Sequence, residues 1–220
     1  MDSHIHSEYS PDSFAKIDDI LNVARSRDID IIAISDHNTA DAYGEVYQKT
    51  KNTDILAIPS IEISSSYGHI LGFGCEENIP RDLSAEETID IIHDLGGLAI
   101  VPHPYCFYRH GLFHFYDGYE NLKVDAMEIK NARFIAGYCN NKAKKYSSKK
   151  GIPALGASDA HYFKFVGDCY SLIDCEKDID SVLKAIKKGK TSAHGKGTSN
   201  IRLSKYLFDM KVLKKYGEKD

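Results

Sequence analysis

At 220 residues the chain is long enough to bury one sizeable core. Its composition, 42% hydrophobic and 27% charged, is globular, and no apolar run is long enough to span a bilayer. A formal net charge of -4 excludes a global electrostatic pull toward nucleic acid. The five cysteines, Cys75, Cys106, Cys139, Cys169 and Cys175, form no C-x-x-C pair. That argues against a disulfide framework or a thiolate zinc site, and with no signal-peptide pattern it points to a reduced cytoplasmic compartment.

The chain opens with MDSHIHSEYSPDS. Period-two alternation places Asp2, His4 and His6 on one face of a strand and Ile5 on the other. Ser10-Pro11-Asp12 then breaks the strand. Two imidazoles on one face are suited to holding a cation together; an exposed polar terminus or a tag remnant is the bland alternative. Residues 14–28 set Ile17, Ile20, Leu21 and Ala24 at helical spacing. IDIIAISDH (29–37), ILAIPSIEIS (55–64) and HILGFG (69–74) read as strands. SAEETIDIIHDLG (84–96) reads as a helix, with Ser84 and Glu87 as a capping box and Gly96 at its end. Further strands are expected over 98–104, 124–131 and 152–161. A helix over 134–151 ends at Gly151, and a last helix spans 178–189. This alternation predicts βα units and a largely parallel sheet. One domain is expected over 1–195, followed by a basic-rich extension over 196–220, helical in part.

The expected strands finish in SDHN, SIEIS, PHP and SDAH. In a closed βα barrel the C-terminal strand ends converge on one face. His4, His6, Asp36, His37, Glu62, His103, Asp159 and His161 would then meet in space. Imidazole and carboxylate without thiolate suit Zn, Mn or Fe and do not choose among them. Metal ions about 3.5–4 Å apart lower the pKa of a bridging water and clamp both attacking and leaving oxygens, which phosphoester hydrolysis needs. No G-x-S-x-G and no G-x-x-x-x-G-K-[ST] phosphate loop is present.

These segments resemble the PHP (polymerase and histidinol phosphatase) family. DSHIHSEYSPDS resembles its first motif and AISDHNT (33–39) its second. SIEIS with GHILGFG, then VPHPY and GASDAH, follow in the family's order over roughly residues 1–175. The resemblance implies an α/β fold: a distorted (β/α)7-type barrel with the metal site at the C-terminal ends of the strands. It also implies a trinuclear centre and hydrolysis of phosphoesters. Carried over residue by residue, one metal takes His4, His6, Glu62 and Asp159. A second shares Glu62 and takes His69 and His103. A third takes Asp12, His37 and His161. Two to three divalent ions (Zn, Mn or Fe) are the implied cofactors, with Glu62, Asp159 and His161 as catalytic residues. The family varies between His and an acid at Asp12, and His69 depends on the register of SSSYGHILGFG. Asp36 is expected to orient His37 rather than bind metal, and Asp2 is expected behind the ligands too.

EIKNARF (128–134) resembles the family's substrate-side segment, with Asn131 and Arg133 as substrate-binding candidates. Arg133 is suited to gripping a second phosphate bidentately; a solvated turn is the plainer reading, and Glu128 and Lys130 rank lower. YCFYRHGLFHFYDGYE (105–120) reads as a lid, a nucleobase platform or a patch packed over the barrel mouth. His110 and His114 are expected there as lid or surface residues, and proximity alone favours Arg109. His93 is expected to be structural, His194 has no assigned role, and 142–150 reads as a solvated basic face. The expected partner is a small phosphorylated metabolite or nucleotide; nucleic acid is not favoured and no membrane is expected. The competing readings are a histidinol phosphatase, a nuclease trimming nucleic-acid ends, and a catalytically silent metal-binding module.

Overall fold

Apolar runs too short for helices form the strands of this chain, and the amphipathic segments between them cover the outside. The computed structural model describes residues 1–133, 137–199, 201–206 and 208. In chain order the elements are β1 (Asp2–Ile5), α1 (Ile17–Ser26), β2 (Ile31–Ile34), α2 (Ala42–Thr50), β3 (Leu56–Ser64), β4 (His69–Phe73), α3 (Ala85–Asp94), β5 (Leu98–Val101), α4 (Leu112–Phe115), β6 (Ala126–Asn131), α5 (Tyr138–Lys150), β7 (Ala154–Ala157), β8 (Cys169–Ile173), α6 (Ile179–Lys187) and β9 (Thr191–Gly195).

Strands β1 to β7 form one sheet in sequence order. Its edges nearly close into a barrel: the Asp159 N–H donates to the His4 carbonyl at 2.8 Å and the His6 N–H to the Ala160 carbonyl at 2.9 Å. The expected parallel pattern holds except around β4, which pairs antiparallel with both β3 and β5. The turn between β3 and β4 is too short for a crossover helix, so the chain must reverse there. β8 and β9 form an antiparallel hairpin beside β7, where the Ser171 hydroxyl bonds the Gly156 backbone N–H at 2.9 Å and its carbonyl at 3.0 Å.

Helix α1 buries Ile17, Ile20, Leu21 and Ala24 in a cluster with Ile5 and Ile32. Each large aliphatic side chain buried this way contributes roughly 1.5–3 kcal/mol. The expected capping box opens α3: Ser84 Oγ accepts from the Glu87 N–H at 3.2 Å, and the Glu87 carboxylate accepts from the Ser84 N–H at 3.0 Å. Ser84→Ala is expected to lower stability by about 1 kcal/mol, read by urea unfolding. Metal content should stay unchanged, and a larger loss would show that Ser84 does more than cap α3.

Helix α5 ends at Gly151, whose φ of 69° is the left-handed conformation that lets the chain leave a helix. The expected start of that helix falls partly on 134–136, outside the described residues. Helix α2, the short α4 and the β8–β9 hairpin were not anticipated. In α2 only Ala42, Val46 and Thr50 are buried, a stripe too weak to read. Of the expected C-terminal extension, 201–206 are helical, and Tyr206 packs against Tyr162 and Phe165; 200, 207 and 209–220 lie outside the described residues. No helix among the described residues is long and apolar enough to cross a membrane, and the five cysteines form no disulfide.

Candidate metal centre

The hub of the site is Glu62, fully buried on β3. Its Oε1 lies 2.9 Å from His69 Nδ1 and 3.1 Å from His103 Nε2. Its Oε2 lies 3.2 Å from His6 Nε2, 3.2 Å from His37 Nδ1 and 3.3 Å from His4 Nε2. One carboxylate thus faces five imidazoles, delivered by β1, β4 and the segments following β2 and β5. Asp159, just after β7, lies 3.7 Å from both His4 Nε2 and His6 Nε2 and 3.9 Å from His103 Nε2. Asp12 Oδ2 lies 2.9 Å from His161 Nε2 and 3.6 Å from His37 Nε2. All nine residues expected as ligands therefore sit around one buried centre. His103 and Asp159 take positive φ, 30° and 53°, which bends the chain sharply where β5 and β7 end. Such left-handed non-glycine residues cost of order 1–3 kcal/mol and persist where the surroundings over-determine them.

Residues behind the imidazoles fix their orientation. Glu128 Oε1 pairs with His4 Nδ1 at 2.8 Å, and its Oε2 accepts from the His103 N–H at 2.9 Å and from Asn131 Nδ2 at 2.8 Å. Ser10 Oγ bonds His6 Nδ1 at 3.0 Å and accepts from the His37 N–H at 2.9 Å. Asp36 does not act on the His37 ring as expected. Its carboxylate accepts from the Ser7 N–H at 2.7 Å and the Ser7 hydroxyl at 2.6 Å, holding the loop that carries Ser10. Asp2 accepts from the Ser158 N–H at 3.0 Å and the Gly167 N–H at 2.8 Å, and burial pushes its carboxyl up to about 6.

Charge is unevenly matched here. Burial opposes ionisation of Glu62 and Asp159, yet the surrounding imidazoles and guanidinium groups, His69 first for Glu62 and Arg109 first for Asp159, hold both carboxyls well below the usual range. Burial lowers His4, but Asp159, Glu62 and Glu128 together raise it well above the ordinary value. Burial, then the charge of Arg133, brings His161 down to about 4, so it is neutral at pH 7 with a lone pair to offer.

The donor set fits divalent cations. Glu62 Oε2 and His161 Nε2 are buried with no aligned hydrogen-bond partner. His4 Nε2 and His6 Nε2 face each other at 2.9 Å while their Nδ1 atoms are engaged by Glu128 and Ser10. A ligating histidine has this arrangement, its other ring nitrogen held by a carboxylate or hydroxyl. Among the described residues, four groups have ligand atoms mutually within 4.8 Å: His6, Asp12, His37 and His161; His4, His6 and Asp159; His4, Glu62 and His103; and His37, Glu62 and His69. Around Glu62, distance also places His103 with His4 and His37 with His69, so the groups overlap more than the expected partition did.

Above the centre lies a cavity of about 290 Å³, with Asp12, His37, His69, Arg109, Arg133 and Leu203 in its lining. Arg133, 28% exposed, brings Nη1 to 2.6 Å from His161 Nδ1 and 3.7 Å from Asp159 Oδ1. Arg109 Nη2 donates to Asp159 at 2.8 Å, and its Nη1 lies 2.8 Å from the other carboxylate oxygen. Asn131 is buried, donating to Asp159 at 2.9 Å as well as to Glu128, a positioning contact that the sequence expectation did not contain. His93 pairs with Asp125 at 2.7 Å, and His194 lies on β9 against Tyr170 and Ser192. His114 is exposed beside Phe107 and Phe115, whereas His110 lines the metal cavity.

Comparison with known proteins shows the family and the fold. The family model for the PHP domain matches residues 2–130, and one described as PHP-associated matches 137–191. An uncharacterized protein of Methanocaldococcus jannaschii, MJ1587, is 38% identical over 150 residues, covering 64% of this chain and 86% of its own. A Bacteroides vulgatus two-domain protein, described as containing a predicted PHP-like metal-dependent phosphoesterase, superposes with a TM-score of 0.75 at 16% identity, over 89% of this chain and 64% of that one. The lesion-specific endonuclease EndoQ of Pyrococcus furiosus superposes with a TM-score of 0.66 at 18% identity, over 87% of this chain and 56% of that one. This chain thus spans less than two thirds of either solved structure. With the matched domain model covering more than half of its residues, the chain belongs to the PHP-domain family.

Proposed function

We propose that this protein is a metal-dependent hydrolase of phosphoesters, acting on a small phosphorylated metabolite or nucleotide. The observation that carries this reading is the convergence of imidazoles and carboxylates on Glu62, directly beneath a cavity lined by two arginines. His4, His6, Asp12, His37, Glu62, His69, His103, Asp159 and His161 would hold two to three divalent ions. When bound, such ions supply a hydroxide nucleophile at neutral pH and neutralise charge on the phosphoryl oxygens. The chain's own groups do the rest. Glu62 and Asp159 remain ionised despite burial, which keeps the centre able to hold cations. Glu128 and Ser10 aim the imidazoles, so little reorganisation is needed on loading. Arg133 lines the cavity with its guanidinium beside His161, where it would meet an anionic group of the substrate. The cavity's size favours a small ester or a chain end over the interior of a polymer.

A panel of phosphomonoesters, bisphosphonucleotides and short oligonucleotides, assayed with Mn, Zn and Fe separately, tests the proposal. Turnover of small phosphoesters that disappears on chelation is expected; metal-loaded protein inert on the whole panel would contradict it. Arg133→Ala is expected to lower kcat/KM for substrates with an extra anionic group by about ten- to a hundredfold, the loss of a charge-assisted hydrogen bond of roughly 1.5–3 kcal/mol. A bare aryl phosphate should change far less. Equal losses on both would place Arg133 at the reacting centre.

A further inference from the structure

We propose that a second cavity beside the metal centre receives the substrate's leaving group, and that this group is a planar heteroaromatic ring with polar edges, as in a nucleoside. The inference rests on the phosphoester reading above and names the kind of ester. His69 and His110 line both cavities, so the two adjoin at these residues. It is the larger, about 510 Å³ against about 290 Å³, and falls in the usual range of small-molecule sites. The metal cavity is bounded elsewhere by Phe165, Thr198 and Leu203. That wall is pinned: the Thr198 N–H donates to the Ala132 carbonyl at 2.8 Å, and its hydroxyl donates to Asp168 at 2.7 Å. Arg202 holds the same carboxylate through two contacts of 2.8 Å. The second cavity adjoins the metal cavity at His69 and His110, apart from those pinned residues, and offers the larger space for a group attached to a phosphoryl at the metals.

The lining of that cavity sets the chemistry. Tyr67 is stacked on Tyr116, centroids 4.9 Å apart and planes 28° apart, yet it is 48% exposed. One ring face meets Tyr116, and the half-exposed ring lines the cavity. Tyr116 is itself anchored by its hydroxyl on the Glu86 carboxylate. Phe115, 41% exposed, adds a second aromatic surface. Ser64, Ser66 and an Arg81–Asp82 ion pair add polar groups to the same lining. An alkyl chain would leave those polar groups unused, and a small sugar phosphate would leave the Tyr67 face uncovered. A base stacked on Tyr67 uses both.

The platform is built before any ligand arrives. A Cβ on Gly68 would fall 2.6 Å from the His110 carbonyl oxygen and from Leu112 Cα, so only glycine lets the Tyr67 turn seat against that segment. The His69 N–H closes the contact on the His110 carbonyl at 2.9 Å. His110 and Asp82, both lining the cavity, hold left-handed φ values of 50° and 65°. A ring entering here meets surfaces already in place, so little ordering opposes binding.

The test compares adenosine monophosphate with glycerol phosphate on wild-type protein, Tyr67→Ala and Tyr67→Phe, and titrates adenosine calorimetrically into each. Tyr67→Ala is expected to lower kcat/KM for the nucleotide roughly 5- to 100-fold, the range of one base–aromatic stack. Glycerol phosphate should stay within about twofold, Tyr67→Phe should restore the nucleotide, and adenosine binding should weaken in parallel. Equal losses on both esters, or no loss on either, would overturn the proposal. So would a change in self-association without any effect on the nucleotide. If wild-type protein hydrolyses neither ester, the phosphoesterase reading is judged on the full panel above, and the adenosine titration decides the cavity: binding that depends on Tyr67 supports it and absence of binding overturns it.

Discussion

Glu62→Gln is expected to reduce turnover by roughly 10²–10³-fold, the cost of deleting a key electrostatic group, while the fold remains intact. Glu62 is fully buried and faces five imidazole nitrogens within 3.3 Å. An amide keeps the shape but removes the charge, and it turns an N–H toward at least one nitrogen that needs its lone pair for a cation. Metal content should fall together with activity, and circular dichroism should remain native. Near-normal turnover with unchanged metal content would show that Glu62 is not the shared ligand.

Glu128→Gln is the second large effect. Its two oxygens tie together β1, the end of β5 and β6, through His4 Nδ1, the His103 N–H and Asn131 Nδ2. The amide can replace one accepting oxygen but not both, so one of these buried donors loses its partner. Loss of a group that orients a ligating histidine typically lowers metal affinity or activity about 10- to 100-fold. Competition with a chromogenic chelator reads the affinity directly. Unchanged affinity would mean that the His4 ring is held by packing alone.

The strand-end pattern carried most of the site. His4 and His6 read as one-face partners from their spacing, and their Nε2 atoms meet at 2.9 Å. Motifs such as SDH and SDAH placed His37, Asp159 and His161 at chain positions that a barrel draws together. What the pattern lacked was contact between distant segments. Arg109 sits 50 residues from Asp159 and grips it from an aromatic stretch with no motif of its own. Glu128 looks in sequence like any solvated strand end; only its burial beneath His4 and His103 shows its role. Asp36, next to His37, was expected to orient that ring, but the β2 end turns its carboxylate onto Ser7 instead. The reversal at β4 was hidden for a related reason: its apolar run has no direction, and the short turn before it sets the pairing. Tyr67 stood out in no pattern, since a tyrosine in a serine-rich turn becomes informative only once Tyr116 is found beneath it.

The most direct test of the central claim is elemental analysis of protein purified without chelator, together with the same protein reconstituted with Mn, Zn or Fe. Two to three divalent ions per chain are predicted, falling when Glu62 is replaced by Gln. Fewer than one equivalent per chain, persisting after reconstitution of folded protein, would contradict a multinuclear centre at the strand ends.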